Sequence, residues 1–420
     1  MKKILFLTYF WPPSGKASLQ FPLRMIQYLP QHGFDPMVLT VEEETFTQKD
    51  ESLLKEVPEG LRVYKSPVFE PFDIYRKFTG KGKDSVLVAS ETISKENDDP
   101  RHKIAVWIRM NLFVPDARIG WFPYAVKEGK RIFKETGFDA IVSMGPPHST
   151  HLIAKRLSSE LRVPFFPVLI DPWMDIAYYQ GQKRSALTLR IDSAFERKVF
   201  QAASEVFFVT ATTLSEYKKK YPFLEGKSDV LFWGYDGFKF ENLPEIKKEG
   251  DAKVLMHSGN IFDFQNPVKM WGYLKEKIDS GENLRLRFTG TVSPGIRKSV
   301  TEAGLDPYTD YLGFLSYNDM INEVMAADYL WVCAMEKRHL PGKLFEYLRT
   351  GKPVLAFGED NPEVKAILEK SGAGMIFGFN DSPQEFFERA GQFRTDTEFI
   401  AQFDRKEVAR KLAGIIRTKI

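Results

Sequence analysis

Cysteine is almost absent. Cys333 is the sole one in 420 residues, so the chain forms no internal disulfide and no zinc cluster. A reducing, cytoplasmic compartment fits that usage. Cys333 lies in the apolar run YLWVCAM and reads as a buried structural thiol ahead of a nucleophile. An excess of one charge is also missing: 59 Lys and Arg face 56 Asp and Glu, a net +3. That balance gives no reason to expect a nucleic-acid partner. No apolar run reaches the roughly 18–20 residues of a spanning helix. The expectation is a soluble protein, or at most one resting on the inner face of a membrane. The opening MKKILFLTYFWPP imitates a secretory signal, but its apolar run stops at Pro12 and Pro13 with no small-residue cleavage site after it. A buried first strand is the better reading. The phosphate loop GxxxxGK[ST], the GxGxxG fingerprint, HExxH and GxSxG are all missing. So is an Asp-x-Asp of the kind a metal-dependent transferase uses.

What is present is alternation. Short apolar segments, KILFLTYF (3–10), DPMVLT (35–40), LRVYKSP (61–67), FDAIVSM (138–144), FFPVLID (165–171), EVFFVT (205–210) and SDVLFWG (228–234), read as strands. Helical patterns separate them, the first over 18–32 and later ones over 149–159, 186–202 and 212–220. The second half repeats the scheme with KVLMHSG (253–259), LRLRFTG (284–290), TDYLGF (309–314), YLWVCAM (329–335), KPVLAFG (352–358) and AGMIFGF (373–379). Strands buried on both faces and alternating with helices mean parallel sheets covered by helices. The expected fold class is α/β, with two Rossmann-like doubly wound domains facing a cleft. The domains are 1–235, with an irregular excursion at about 70–122, and 236–403. A last helix in 404–420 is placed to cross back to the first domain. Residues 104–122 are rich in large apolar and basic side chains. They read either as a packed helix and loop or as a surface for an apolar or membrane-linked acceptor.

In open parallel sheets, ligands bind beyond the carboxyl ends of the strands. There the segment PGKLFEYLRTGKPVLAFG (341–358) opens a helix with Pro341, suited to a first turn, and Gly342, which lets a ligand approach the backbone. The free N–H groups and the helix dipole form an anion site, and Lys343 adds a charge suited to phosphate. Glu346, on the same face, is a poor phosphate ligand but a good acceptor for two vicinal ribose hydroxyls. The arrangement suits a nucleoside diphosphate. It also fits an ordinary surface helix with a Glu/Lys pair. Gly259 and Asn260 after the first strand of the second domain, Gly290 after the next, and Phe314 and Leu315 in the base-sized loop 314–316 outline the same site. Gly15 and Lys16, in FWPPSGKAS after the first strand, point to it from the other domain.

These segments, with SMGPPHSTHLIAKRL (143–157), DPW (171–173) and SGNI, resemble the family 4 glycosyltransferases of the GT-B fold, most closely the bacterial capsule and exopolysaccharide branch. The resemblance implies a hexosyltransferase-type enzyme. It would move a sugar from a nucleotide-diphosphate donor, with a UDP-sugar favoured, to a glycan or lipid-linked acceptor with retention of configuration. It implies no cofactor and no metal, with Glu346 on the donor ribose and Lys343 with the helix start on the diphosphate. Arg338 stands where many members carry a glutamate. IFDFQNP replaces the Arg and Lys usual after SGN, and Lys16 replaces a second glycine. For the transfer step His148, His151 and Asp171 are candidates. A histidine at 148 or 151 can orient a sugar or pack a helix start, and Asp171 can bind an acceptor hydroxyl or cap the next segment. Trp173 is either a stacking face or core. Two rivals remain: a nucleotide-sugar epimerase or hydrolase on this fold, and a non-catalytic nucleotide-sugar or glycan-binding subunit.

Overall fold

The apolar segments form two separate sheets in the computed structural model, which describes residues 1–69, 100–174, 183–241, 250–335 and 337–420. Contacts divide the chain into two units, Met1–Phe232 with Ala409–Ile420, and Trp233–Val408. The expected excursion falls partly on 70–99, outside the described residues, as do 242–249 of the linker.

Unit 1 contains β1 (Lys2–Leu7), β2 (Phe34–Val41), β3 (Arg62–Ser66), β4 (Ala140–Gly145), β5 (Phe165–Leu169), β6 (Val206–Phe208) and β7 (Ser228–Val230). They lie in the order β3-β2-β1-β4-β5-β6-β7, with every neighbouring pair parallel. Ile4 to Leu7, Ile141 and Phe165 are fully buried between covering helices, as continuous apolar strands require. Differences from the sequence reading have local causes. The first helix is α-helical only over Gln20–Tyr28, with 3₁₀ turns at Ala17–Leu19 and Leu29–His32. Pro30 has no N–H to continue the ladder, and Gly33 (φ 79°) ends the turn. β7 stops at Val230 rather than at 234. A helix at Phe122–Thr136, to which the sequence reading assigned no element, packs Ala125, Val126, Gly129 and Ile132 inward. The final helix, Arg405–Arg417, carries Lys411, whose ammonium donates to Asp229 Oδ1 at 2.7 Å and to the Val230 carbonyl at 2.8 Å.

Unit 2 contains β8 (Lys253–His257), β9 (Leu284–Phe288), β10 (Thr309–Tyr311), β11 (Tyr329–Cys333), β12 (Val354–Phe357) and β13 (Gly374–Phe377). Their order is β10-β9-β8-β11-β12-β13, again all parallel. Trp331 forms the centre of its core, edge-on to Trp271 at 6.0 Å and to Phe288 at 6.0 Å. In each unit the order reverses direction once, between β1 and β4 and between β8 and β11. Such a reversal leaves a crevice at the carboxyl ends of the two strands. Among the described residues no helix is long and apolar enough to cross a membrane.

Candidate functional site

The unit 2 crevice opens between the ends of β8 and β11. His257, the last residue of β8, is buried, and its Nδ1 lies 3.1 Å from the Trp331 carbonyl on β11. A carbonyl only accepts, so Nδ1 carries the proton and Nε2 is the acceptor. Nε2 stands 3.3 Å from the Lys343 ammonium. Burial, then the charge of Lys343, push His257 well below the ordinary histidine value, so the ring is neutral. Lys343 is itself pushed down to about 8, chiefly by burial, with Cys333 and Glu346 drawing it back up. Among the described residues no carboxylate lies within ion-pair distance of it. A desolvated ammonium held by a neutral imidazole is a cation short of an anion.

Lys343 stands in the first turn of the helix Gly342–Thr350, whose Leu344, Phe345, Tyr347 and Leu348 are buried and which stops at Gly351 (φ 71°). Pro341 is the residue before the first turn rather than in it; its carbonyl accepts the Leu344 N–H at 3.0 Å. The amides of Gly342 and Lys343 donate to no described group. A Cβ at Gly342 would meet the Trp233 indole nitrogen at 2.9 Å, so the indole occupies the direction a side chain would take.

Three strand-end turns brace this start. Gly259 has φ 92°, and a Cβ there would stand 2.9 Å from Lys343 Nζ. Gly290 (φ 80°) packs its backbone on Gly259, since a Cβ would come within 2.7 Å of the Gly259 carbonyl carbon, and its N–H donates to the Gly313 carbonyl at 2.6 Å. Asn260 is exposed, and its Oδ1 accepts the Thr291 N–H at 2.9 Å, tying two turns together. Phe314 is 92% exposed, Leu315 is half-buried, and Ser316 caps the helix Tyr317–Ala326.

Glu346 lies one turn beyond Gly342. Its Oε1 accepts the Tyr317 hydroxyl at 2.9 Å. Burial raises it above the ordinary glutamate value; Arg405, Tyr317 and Lys343 oppose that rise, and Asp236 adds to it. Cys333 is buried, with its thiol pushed up to about 12 by burial.

The remaining candidates lie in unit 1. Gly15 is exposed and gives its N–H to the Gln48 carbonyl at 2.9 Å, and Lys16 beside it is half-buried. His148 and His151 flank Trp173, which is fully buried and bonds Asp192 through its indole N–H at 2.7 Å. The His148 ring is stacked on Trp173 at 5.0 Å and 9° and is only 2% exposed. Burial pushes it down to about 3. His151 Nδ1 lies 2.8 Å from the Ser143 hydroxyl, and burial and then His148 hold it well below the histidine range. Both are neutral, packed rings at the start of the helix Ser149–Leu161. Asp116, not singled out in the sequence, closes that helix start by accepting the Ser149 N–H at 2.9 Å and the Ser149 hydroxyl at 3.0 Å. Asp171 is half-buried, and burial raises it to about 6. Of these three candidates it alone keeps an accessible polar group without a described partner. His257, Tyr317 and Arg405 were likewise not singled out. Their one sequence signal is position, at a strand end, at a helix start after a loop and beside the last helix.

The strand orders and sheets match the GT-B fold, two Rossmann-like units in one chain. No protein-family model matches the chain, and no curated protein matches it in sequence. Among solved structures it is similar to HepE of Anabaena in complex with UDP, at 14% identity and TM-score 0.65 over 100% of both chains. It is also similar to sucrose-phosphate synthase of Thermosynechococcus elongatus, at 13% identity and TM-score 0.64, covering 100% of this chain and 99% of that one. UDP-GlcNAc 2-epimerase of Methanocaldococcus jannaschii has the same fold at 11% identity and TM-score 0.55, over 100% of both chains. At such identities the likeness concerns the fold alone.

Proposed function

We propose that the chain is a retaining, metal-independent glycosyltransferase that moves a sugar from a nucleoside-diphosphate donor to a glycan or lipid-linked acceptor. The observation that carries this reading is Lys343, a half-buried ammonium with a neutral histidine behind it and no described carboxylate beside it. A diphosphate supplies the missing charge, with the amides of Gly342 and Lys343 and the helix dipole behind it. Glu346 then accepts the ribose hydroxyls, and the open backbone at Phe314 and Leu315 takes the base. As the sugar–phosphate bond breaks, charge grows on the leaving oxygen beside Lys343, where a fixed cation is worth most.

On the acceptor side, Asp171 is the group fitted to hold a hydroxyl, because burial makes its carboxylate more basic, able to take up a proton at about pH 6. His148 and His151 shape its surroundings as packed neutral rings. The helix Pro100–Leu112 exposes Ile104, Trp107 and Leu112 and has no acidic residue, which suits an acceptor carrying a lipid at the inner face of a membrane. UDP is the first nucleotide to try, since HepE is recorded with UDP and with UDP-glucose.

The epimerase likeness keeps one rival open on the same donor site. Product analysis separates the two. UDP-sugars are incubated with and without a bacterial lipid-linked glycan fraction, with EDTA present. Glycosylated acceptor formed only with both substrates supports the transferase. Epimerised or hydrolysed donor without acceptor overturns it.

A further inference from the structure

Glu346 is anchored on one side only. Its Oε1 accepts the Tyr317 hydroxyl at 2.9 Å, and no described side chain bonds Oε2. Tyr317 is the first residue of the helix Tyr317–Ala326 and follows directly on the exposed Phe314 turn. Ser316 fixes that helix start by accepting the Asp319 N–H at 3.2 Å. The tyrosine thus links the loop assigned to the base with the carboxylate assigned to the ribose. Three more charged groups bear on Glu346: Arg405, whose Nε–H donates to the Trp233 carbonyl at 3.2 Å, Lys343 on its own helix, and buried Asp236.

We propose that Tyr317 is a positioning residue: by holding Oε1 it presents Oε2 to the 2′- and 3′-hydroxyls of a ribose, and so makes the site select ribonucleoside diphosphates over their 2′-deoxy counterparts. The inference rests on the nucleotide reading above. An anchored carboxylate cannot turn to find another partner, so a ligand without the 2′-hydroxyl leaves it short of a donor. Sites built to bond a hydroxyl reject analogues lacking it far better than apolar pockets reject a missing methylene. Freed of the tyrosine, the carboxylate turns and hydrates, and the missing hydroxyl costs less.

The test is calorimetric titration of wild type and Tyr317→Phe with ADP, CDP, GDP and UDP and their 2′-deoxy forms, from pH 5.5 to 8. Wild type is expected to prefer the ribo form roughly tenfold or more. Tyr317→Phe keeps its affinity for the deoxy form and narrows the ratio to roughly threefold or less. Its loss of affinity on the acid side moves to higher pH, because the hydroxyl helps keep Glu346 ionised. An unchanged ratio in Tyr317→Phe overturns the role of Tyr317 while leaving the nucleotide site standing. Equal loss of both forms by a folded variant also overturns it, because the residue is then structural. No binding of any diphosphate by wild type overturns both.

Discussion

Replacing Lys343 with methionine removes a charge from a site that holds it at a cost. The fall from the ordinary lysine value of 10.5 to about 8 corresponds to at most about 3 kcal/mol, at roughly 1.4 kcal/mol per pH unit. Below pH 8 the folded protein carries that cost in full. Between about 8 and 10.5 the unfolded chain binds a proton that the folded one does not, so unliganded stability rises with pH. Methionine keeps the apolar stem and removes the cost, but leaves His257 Nε2 without its donor, a loss of about 1 kcal/mol. The net expectation for Lys343→Met at pH 7 is a gain of about 1–2 kcal/mol in the free protein, together with weaker diphosphate binding. Calorimetry reads both. The same lysine gives binding a proton signature: close to zero at about pH 7, where uptake by the lysine and release from the phosphate cancel, and uptake of about 0.9 proton per ligand at about pH 9. The terminal phosphate titrates near about 6, well below that upper pH. Buffers of different ionisation enthalpy measure the uptake. A destabilised Lys343→Met with unchanged nucleotide affinity, or no uptake at pH 9, refutes the reasoning.

Glu346→Ala removes the acceptor for the ribose hydroxyls and should weaken diphosphate binding by about 1.5–3 kcal/mol for each bond lost; unchanged affinity in calorimetry removes Glu346 from the ribose. Asp171 titrates at about 6 in the folded protein against the ordinary 3.8 of the unfolded chain, so its ionised form costs stability at neutral pH. Asp171→Asn should therefore raise the melting temperature at pH 7 yet lower transfer by about 100-fold or more with nucleotide affinity intact, and wild-type kcat/KM should fall below about pH 6. A flat pH–rate profile from 5 to 7 contradicts that role. Gly290→Ala places a Cβ against the Gly259 carbonyl at positive φ; it should cost more than about 1 kcal/mol in unfolding and weaken nucleotide binding, while wild-type behaviour in both would show that the two turns are not coupled.

The alternation of short apolar strands with helices made both sheets legible, because a parallel strand covered on both faces is predominantly apolar. Lys343 and Glu346 were legible because a helix places residues one turn apart on one face. What was not legible is the pairing across long sequence separations. Lys343 meets His257 from 86 residues away, and Glu346 meets Tyr317 from 29. Asp116 caps a helix 33 residues downstream, from a segment whose composition spoke only of apolar and basic character. Burial decides these cases too. His148, His151 and Trp173 read in the sequence either as sugar-facing groups or as packed ones, and only packing shows the three rings against one another. Gly342 is explained by the Trp233 indole, a contact that no local pattern announces.

The most direct test of the central claim is calorimetric titration of wild type and of the Lys343→Met, Glu346→Ala double variant with ADP, CDP, GDP, UDP and dTDP at pH 7. The account predicts that one ribonucleoside diphosphate binds wild type with a stoichiometry of about one and that the folded double variant loses it. Absence of binding by wild type at millimolar concentration, or undiminished binding by the double variant, would contradict a nucleotide site at the ends of β8 and β11.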